Sequence, residues 1–130
     1  MQTFYAPAIQ EVKEKGLAGS KFTSIYCPRL TTAGNESFYG SQLTSIDATL
    51  LQTAGTAAFA TTQLRTANLP AAKTIGERAF ESCTQLTSCT VGATATSIGK
   101  KAFGSCSNLR ELRIKTSSLS CMASDALDGC

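Results

Sequence analysis

The chain has 130 residues, a mass of 13.6 kDa and a net charge of +3, from 12 Lys and Arg against 9 Asp and Glu. Hydrophobic residues make up 42% and charged residues 16%, which excludes a disordered or strongly solvated polypeptide. The absence of His excludes His-based acid–base catalysis and His metal sites, and a mild charge with no Lys/Arg stripe gives no nucleic-acid footprint.

The first segment, Met1 to Gln10, is mixed in character and runs into Glu11, Lys13, Glu14 and Lys15. It lacks the basic, apolar and small-residue order of a signal peptide. Within it, Met1 to Ala6 loosely fits a pattern that returns along the chain: apolar, two variable residues, apolar, one variable residue, apolar. Phe22-Thr23-Ser24-Ile25-Tyr26-Cys27 fits, and Leu43 to Ala48, Leu64 to Leu69, Leu86 to Val91 and Leu109 to Ile114 follow. The alternation at the end of each copy predicts a half-buried strand. Pro7, Pro28 and Pro70 all fall directly after the last apolar residue, where a missing amide ends a ladder at little cost.

Between the strands lies a second recurring stretch. Its anchor position reads Val12, Ala33, Ala54, Ile75, Ile98 and Met122, at steps of 21, 21, 21, 23 and 24 residues. Ile75-Gly76-Glu77-Arg78-Ala79-Phe80-Glu81-Ser82-Cys83 and Ile98-Gly99-Lys100-Lys101-Ala102-Phe103-Gly104-Ser105-Cys106 are its clearest copies. Phe38, Phe59, Phe80 and Phe103 share one position, with Leu17 and Leu127 at the ends of the series. Gly34, Gly55, Gly76 and Gly99 share another, which implies a positive φ or a close backbone approach. A unit this short cannot bury its own apolar face, so the repeats must stack around a shared core. The reading is an α/β repeat solenoid over residues 1–130: about six repeats of 21–24 residues, a six-stranded parallel sheet on one face, and short helical or irregular arcs on the other. The charge-free stretch Ala48 to Leu64 is interrupted by Thr, Gln and Gly, so membrane insertion is not expected.

These stretches resemble the BspA-type leucine-rich repeats, in which a strand motif ending in Pro precedes Ile-Gly-x-x-Ala-Phe-x-x-Cys. Ile75 to Cys83 and Ile98 to Cys106 match at every defined position. The first three repeats lack the Cys, with Gly40 or Ser41 and Thr61 or Thr62 near its place. The resemblance implies a right-handed leucine-rich-repeat solenoid; with no His, no carboxylate pair and no phosphate-cradling glycine motif, no enzyme is expected. The resemblance also implies protein binding or adhesion at a cell surface or after secretion, although this chain shows no export signal.

Six cysteines allow fifteen disulfide connectivities. Cys83, Cys106 and Cys130 recur at one repeat position, and Cys27 and Cys89 sit at inward strand positions, which suits small buried hydrophobes. No Cys-x-x-Cys pair occurs, so no metal site is expected. No catalytic residue is assigned: the nearest positive field for a thiol would be Lys100 and Lys101 beside Cys106. Cys121 with Cys130 is the pair to test for a bond. No cofactor is implied.

The outward strand positions give Thr3 and Tyr5, Ser24 and Tyr26, Ser45 and Asp47, Thr66 and Asn68, Ser88 and Thr90, and Glu111 and Arg113. Tyr5 and Tyr26 should stack as neighbours. Tyr5, Tyr26, Asp47, Asn68, Thr90 and Arg113 are therefore the candidate partner-binding residues for a protein or surface partner. Met1 already occupies a strand position and Cys130 the Cys column, so neither end has a polar capping repeat. Self-association through uncapped ends is expected, and with it an alternative role as a structural subunit or fragment of a larger fibre, virion or multi-subunit assembly.

Overall fold

The computed structural model describes residues 3–115, 121–122 and 125–129. The chain winds as a parallel β-solenoid in which each coil supplies two short strands. The front series is β1 (Thr3–Tyr5), β3 (Ser24–Tyr26), β5 (Ser45–Ile46), β7 (Thr66–Leu69), β9 (Ser88–Val91) and β11 (Glu111–Ile114). The back series is β2 (Glu11–Val12), β4 (Thr32–Ala33), β6 (Thr53–Ala54), β8 (Thr74–Ile75), β10 (Ser97–Ile98) and β12 (Cys121–Met122). Every pairing is parallel, and partners are related by the repeat step, as in Thr3↔Ser24 and Ile98↔Met122.

Two expectations are corrected. The front strands do not form one six-stranded sheet; they form two three-stranded sheets, β1-β3-β5 and β7-β9-β11. The six-stranded sheet lies at the back and is built from the anchor positions. The front breaks at β5, which stops at Ile46. The next residue, Asp47, accepts the Thr49 amide on its own Oδ1 at 3.4 Å. Such a side-chain-to-backbone bond offers the chain a turn in place of the ladder, and Asp is a poor strand former.

The second correction concerns the arcs. Among the described residues there is no helix. In the arc Glu36 to Gly40 the amides of Glu36, Phe38 and Gly40 donate to the carbonyls of Thr56, Ala58 and Ala60 in the next coil, at 2.8–3.0 Å. The intervening Ser37 and Tyr39 amides close tight turns on Gly34 and Glu36. Amides spent laterally leave none for an i→i−4 series. The chain re-aims itself with two left-handed residues per arc, four apart: Lys15 and Gly19, Glu36 and Gly40, Ala57 and Thr61, Arg78 and Ser82, Lys101 and Ser105, at φ of 53–69°. The recurring glycine column, Gly34, Gly55, Gly76 and Gly99, is not among them. A Cβ on Gly76 would lie 2.8 Å from the Ala54 carbonyl oxygen, so that column is set by close approach of coils.

One apolar core runs from Val12 to Ala126. The Phe column is its axis: Phe38, Phe59, Phe80 and Phe103 are all buried, with successive ring centroids 4.9, 5.2 and 5.4 Å apart and planes within 8°. A further column, Leu30, Leu51, Ala72 and Ala95, fills the corner between front and back sheets. The column continued by cysteine is filled earlier by Ser41 and Thr62, all buried. Cys83 and Cys106 direct their thiols to the carbonyls of Phe59 and Phe80, at 3.0 and 3.1 Å.

Candidate functional site

The outward strand residues project from the front as their alternation requires, with inward neighbours such as Ile25, Ala67 and Cys89 buried beneath them. In the first sheet Tyr5 is directly opposite Tyr26. Their rings lie parallel within 9° at 4.9 Å, and they remain 71% and 42% exposed. Thr3 and Ser24, two residues before them, share a hydroxyl–hydroxyl bond of 2.8 Å. This makes a flat aromatic platform bordered by hydroxyls. Asp47 is exposed but lies beyond the last ladder pair, Ile25↔Ile46, because of its turn.

In the second sheet Asn68, Thr90 and Arg113 fall in one row. Arg113 Nε donates to Glu111 Oε2 at 2.8 Å, and both side chains are more than half exposed. An exposed pair of this kind orients the guanidinium more than it stabilises the fold. The six candidate residues therefore divide into a tyrosine patch and an Asn68–Thr90–Arg113 patch, with Asp47 at the discontinuity.

Two depressions flank these patches. One, of about 380 Å³, lies at the entry side of the front strands and is lined by Thr23, Gln42, Thr44, Gln63, Arg65 and Gln85. The sequence reading passed over it. Its signal was a polar amide residue directly before the first apolar position of successive strand motifs: Gln42, Gln63 and Gln85. The other, of about 430 Å³, lies on the arc side, where Glu14, Glu36 and Tyr39 border the Arg78–Glu81 ion pair of 3.5 Å.

The thiols show where nucleophilic chemistry is disfavoured. Burial, aided by the Asp47 charge, pushes the Cys27 thiol up to about 11. Burial and the neighbouring Cys83 push Cys89 up to about 12, and burial raises Cys83 against the opposing effect of its bonds at Thr62 and Thr61. Cys106 is buried, its thiol donating to the Phe80 carbonyl at 3.1 Å, and is not exposed beside Lys100 and Lys101. Cys27, Cys83, Cys89 and Cys106 form no disulfide. The pair Cys121 and Cys130 lies outside the residues whose side chains are described. Among the described residues no group of three or more His, Cys, Asp or Glu side chains could hold a metal ion. Among them, too, no helix is long and apolar enough to cross a membrane.

The family profile described as a BspA type leucine rich repeat region matches residues 10–130 in six copies. The chain belongs to the BspA-type leucine-rich-repeat family. That agrees with the repeat frame read from the anchors, and the solenoid shows what the BspA-type frame encodes here: stacked Phe rings, laterally bonded arcs and an outward polar front. No curated protein and no solved structure matches the chain. BspA-type repeats are in general protein-interaction rather than catalytic elements, and many occur in surface or adhesion-related proteins.

Proposed function

We propose that the chain is a non-enzymatic interaction module that holds a protein partner at its front face, with Tyr5 and Tyr26 as the anchor. The observation that carries this reading is the exposed, in-register tyrosine stack. A cross-strand aromatic pair contributes about 0.2–1 kcal/mol to a sheet. Tyrosine area left open to solvent, rigid and with a hydroxyl at its tip, suits a contact surface. The Asn68, Thr90 and Arg113 row supplies a second, polar contact, separated from the first by the Asp47 turn. Buried thiols held neutral and a chain without His support the non-enzymatic part of the reading.

A Tyr5→Ala/Tyr26→Ala double variant tests it. Immobilised wild-type chain and variant are each exposed to a cell-surface protein preparation, and the retained species are compared by mass spectrometry. A species kept by the wild type, competed off by soluble wild-type chain and lost from the variant supports the reading. Identical retention by both, with circular dichroism showing the variant folded, overturns it.

A further inference from the structure

The first front sheet carries a single charged side chain. Its strands and the turns that follow them, residues 3–8, 24–28 and 45–50, contain Asp47 and no other Asp, Glu, Lys or Arg. Register fixes its place: Ser24↔Ser45 and Ile25↔Ile46 put Asp47 one step from Tyr26, as Tyr26 is one step from Tyr5. Because β3 is the middle strand, Tyr5 covers one face of the Tyr26 ring and the other is turned toward the coil of Asp47. The ladder stops short of that face, and Tyr26 stays exposed. The Asp47 backbone nonetheless remains against the second coil, where the Cys27 thiol donates to its carbonyl at 3.9 Å. Its carboxylate is near enough to help raise that thiol, the residue directly after Tyr26. Asp47 itself is exposed, with Oδ1 turned to the Thr49 amide. Both ion pairs of the described residues lie elsewhere, at Arg78–Glu81 and Arg113–Glu111, so neither Lys21 nor Arg29 neutralises it.

We propose that this corner receives an arginine side chain of the partner, its guanidinium flat on the free face of Tyr26 and its edge turned to the Asp47 carboxylate. The proposal rests on the front-face reading and names the group that the face holds. Shape alone would admit any flat group on the ring. Charge decides among them: a neutral aromatic ring gains nothing from the carboxylate beside it, whereas a cation is drawn both to the ring face and to Asp47. Of the two basic side chains, the guanidinium is planar and weakly hydrated, and it stacks by its face while its edge donates hydrogen bonds. An ammonium is a compact, strongly hydrated charge without a flat face to lay on the ring.

The test is titration of the whole chain with the peptide acetyl-Gly-Gly-Arg-Gly-Gly-amide, read by the Tyr26 ring signals and the Asp47 backbone amide in NMR spectra. Saturable shifts of both are expected at millimolar concentrations, the scale of a single exposed side-chain contact. The same peptide with citrulline, which keeps the shape and loses the charge, and with lysine should each bind about threefold more weakly or worse. Asp47→Asn keeps the Oδ1 acceptor for Thr49 and so retains the turn; it should weaken the arginine peptide about threefold, as suits an exposed charge pair. Tyr26→Ala should weaken it about fivefold. The proposal is overturned if the arginine peptide moves neither signal, if the citrulline or lysine peptide binds as tightly, or if Asp47→Asn binds as the wild type does. A surface species retained alike by wild type and Asp47→Asn but lost from Tyr5→Ala/Tyr26→Ala also overturns it, and leaves the front-face reading standing.

Discussion

Replacing Phe80 by Ala probes the axis of the solenoid. Phe80 is 1% exposed and lies between two parallel rings, 5.2 Å from Phe59 and 5.4 Å from Phe103. Burial of a Phe side chain is worth about 3 kcal/mol. A cavity in a column whose neighbours are fixed by lateral backbone bonds adds about 1 kcal/mol, and each lost ring contact about 0.5–1 kcal/mol. The expected cost is about 5–6 kcal/mol, a large share of the about 5–15 kcal/mol available to a domain of this size. Phe38 shares a ring contact only with Phe59 among the described rings, so Phe38→Ala should cost about 0.5–1 kcal/mol less. Phe80→Leu keeps most of the volume and should cost about 1.5 kcal/mol. The assay is urea unfolding followed by circular dichroism, with all three variants and wild type compared at their midpoints. A loss below about 1 kcal/mol for Phe80→Ala, or a larger loss for Phe38→Ala, would refute the assignment of this column as the axis.

Three further outcomes follow from particular residues. A Cβ on Gly92 would run into the carbonyl of Pro70, so Gly92→Ala should cost at least about 3 kcal/mol and lower the thermal midpoint by about 10 °C in a melting curve. Thr61 holds φ at 57°, costly for a β-branched residue, where Gly19, Gly40 and Gly129 stand in other repeats; Thr61→Gly should raise the melting midpoint, by about 1 kcal/mol of stability. Cys89 has its folded value raised to about 12, so the thiol's contribution is complete below its ordinary value of 9.0 and is lost as pH rises from there toward 12. By pH 10 that loss is about 1–2 kcal/mol; urea midpoints measured from pH 8 to pH 10 should fall less steeply in Cys89→Ala than in wild type.

The repeat frame was legible because side chains announce it. Ile75, Phe80 and Cys83 have counterparts 23 residues on, and each such column is a physical stack in the core. The tyrosine pair was legible for the same reason: residues at equal register must be neighbours. The arcs were not, because their conformation depends on where backbone amides donate. An Ala or Ser before Phe fits a helical turn as well as a laterally bonded one. The left-handed positions hold Glu36, Ala57, Arg78 and Lys101, residue types that give no hint of a positive φ. Asp47 did carry a signal. An Asp two residues before Thr49, in a repeat without the Pro seen at Pro28 and Pro70, favours a turn over a third strand residue, and alternation alone concealed it. The glutamine groove was not legible because Gln42, Gln63 and Gln85 precede the first apolar residue of the strand motif, three residues before the first outward position, where no alternation marks a face.

The two faces of the solenoid differ in continuity. The back ladder runs unbroken from β2 to β12, while the front is interrupted after β5. Across that interruption the coils stay joined by the Arg65 amide on the Thr44 carbonyl at 3.2 Å and by the arc amides of Ala57, Phe59 and Thr61 on the carbonyls of Glu77, Ala79 and Glu81. The tyrosine patch and the Asn68–Thr90–Arg113 patch therefore stand on separate front ladders mounted on one continuous spine, and that spine sets the distance a single partner must span to touch both.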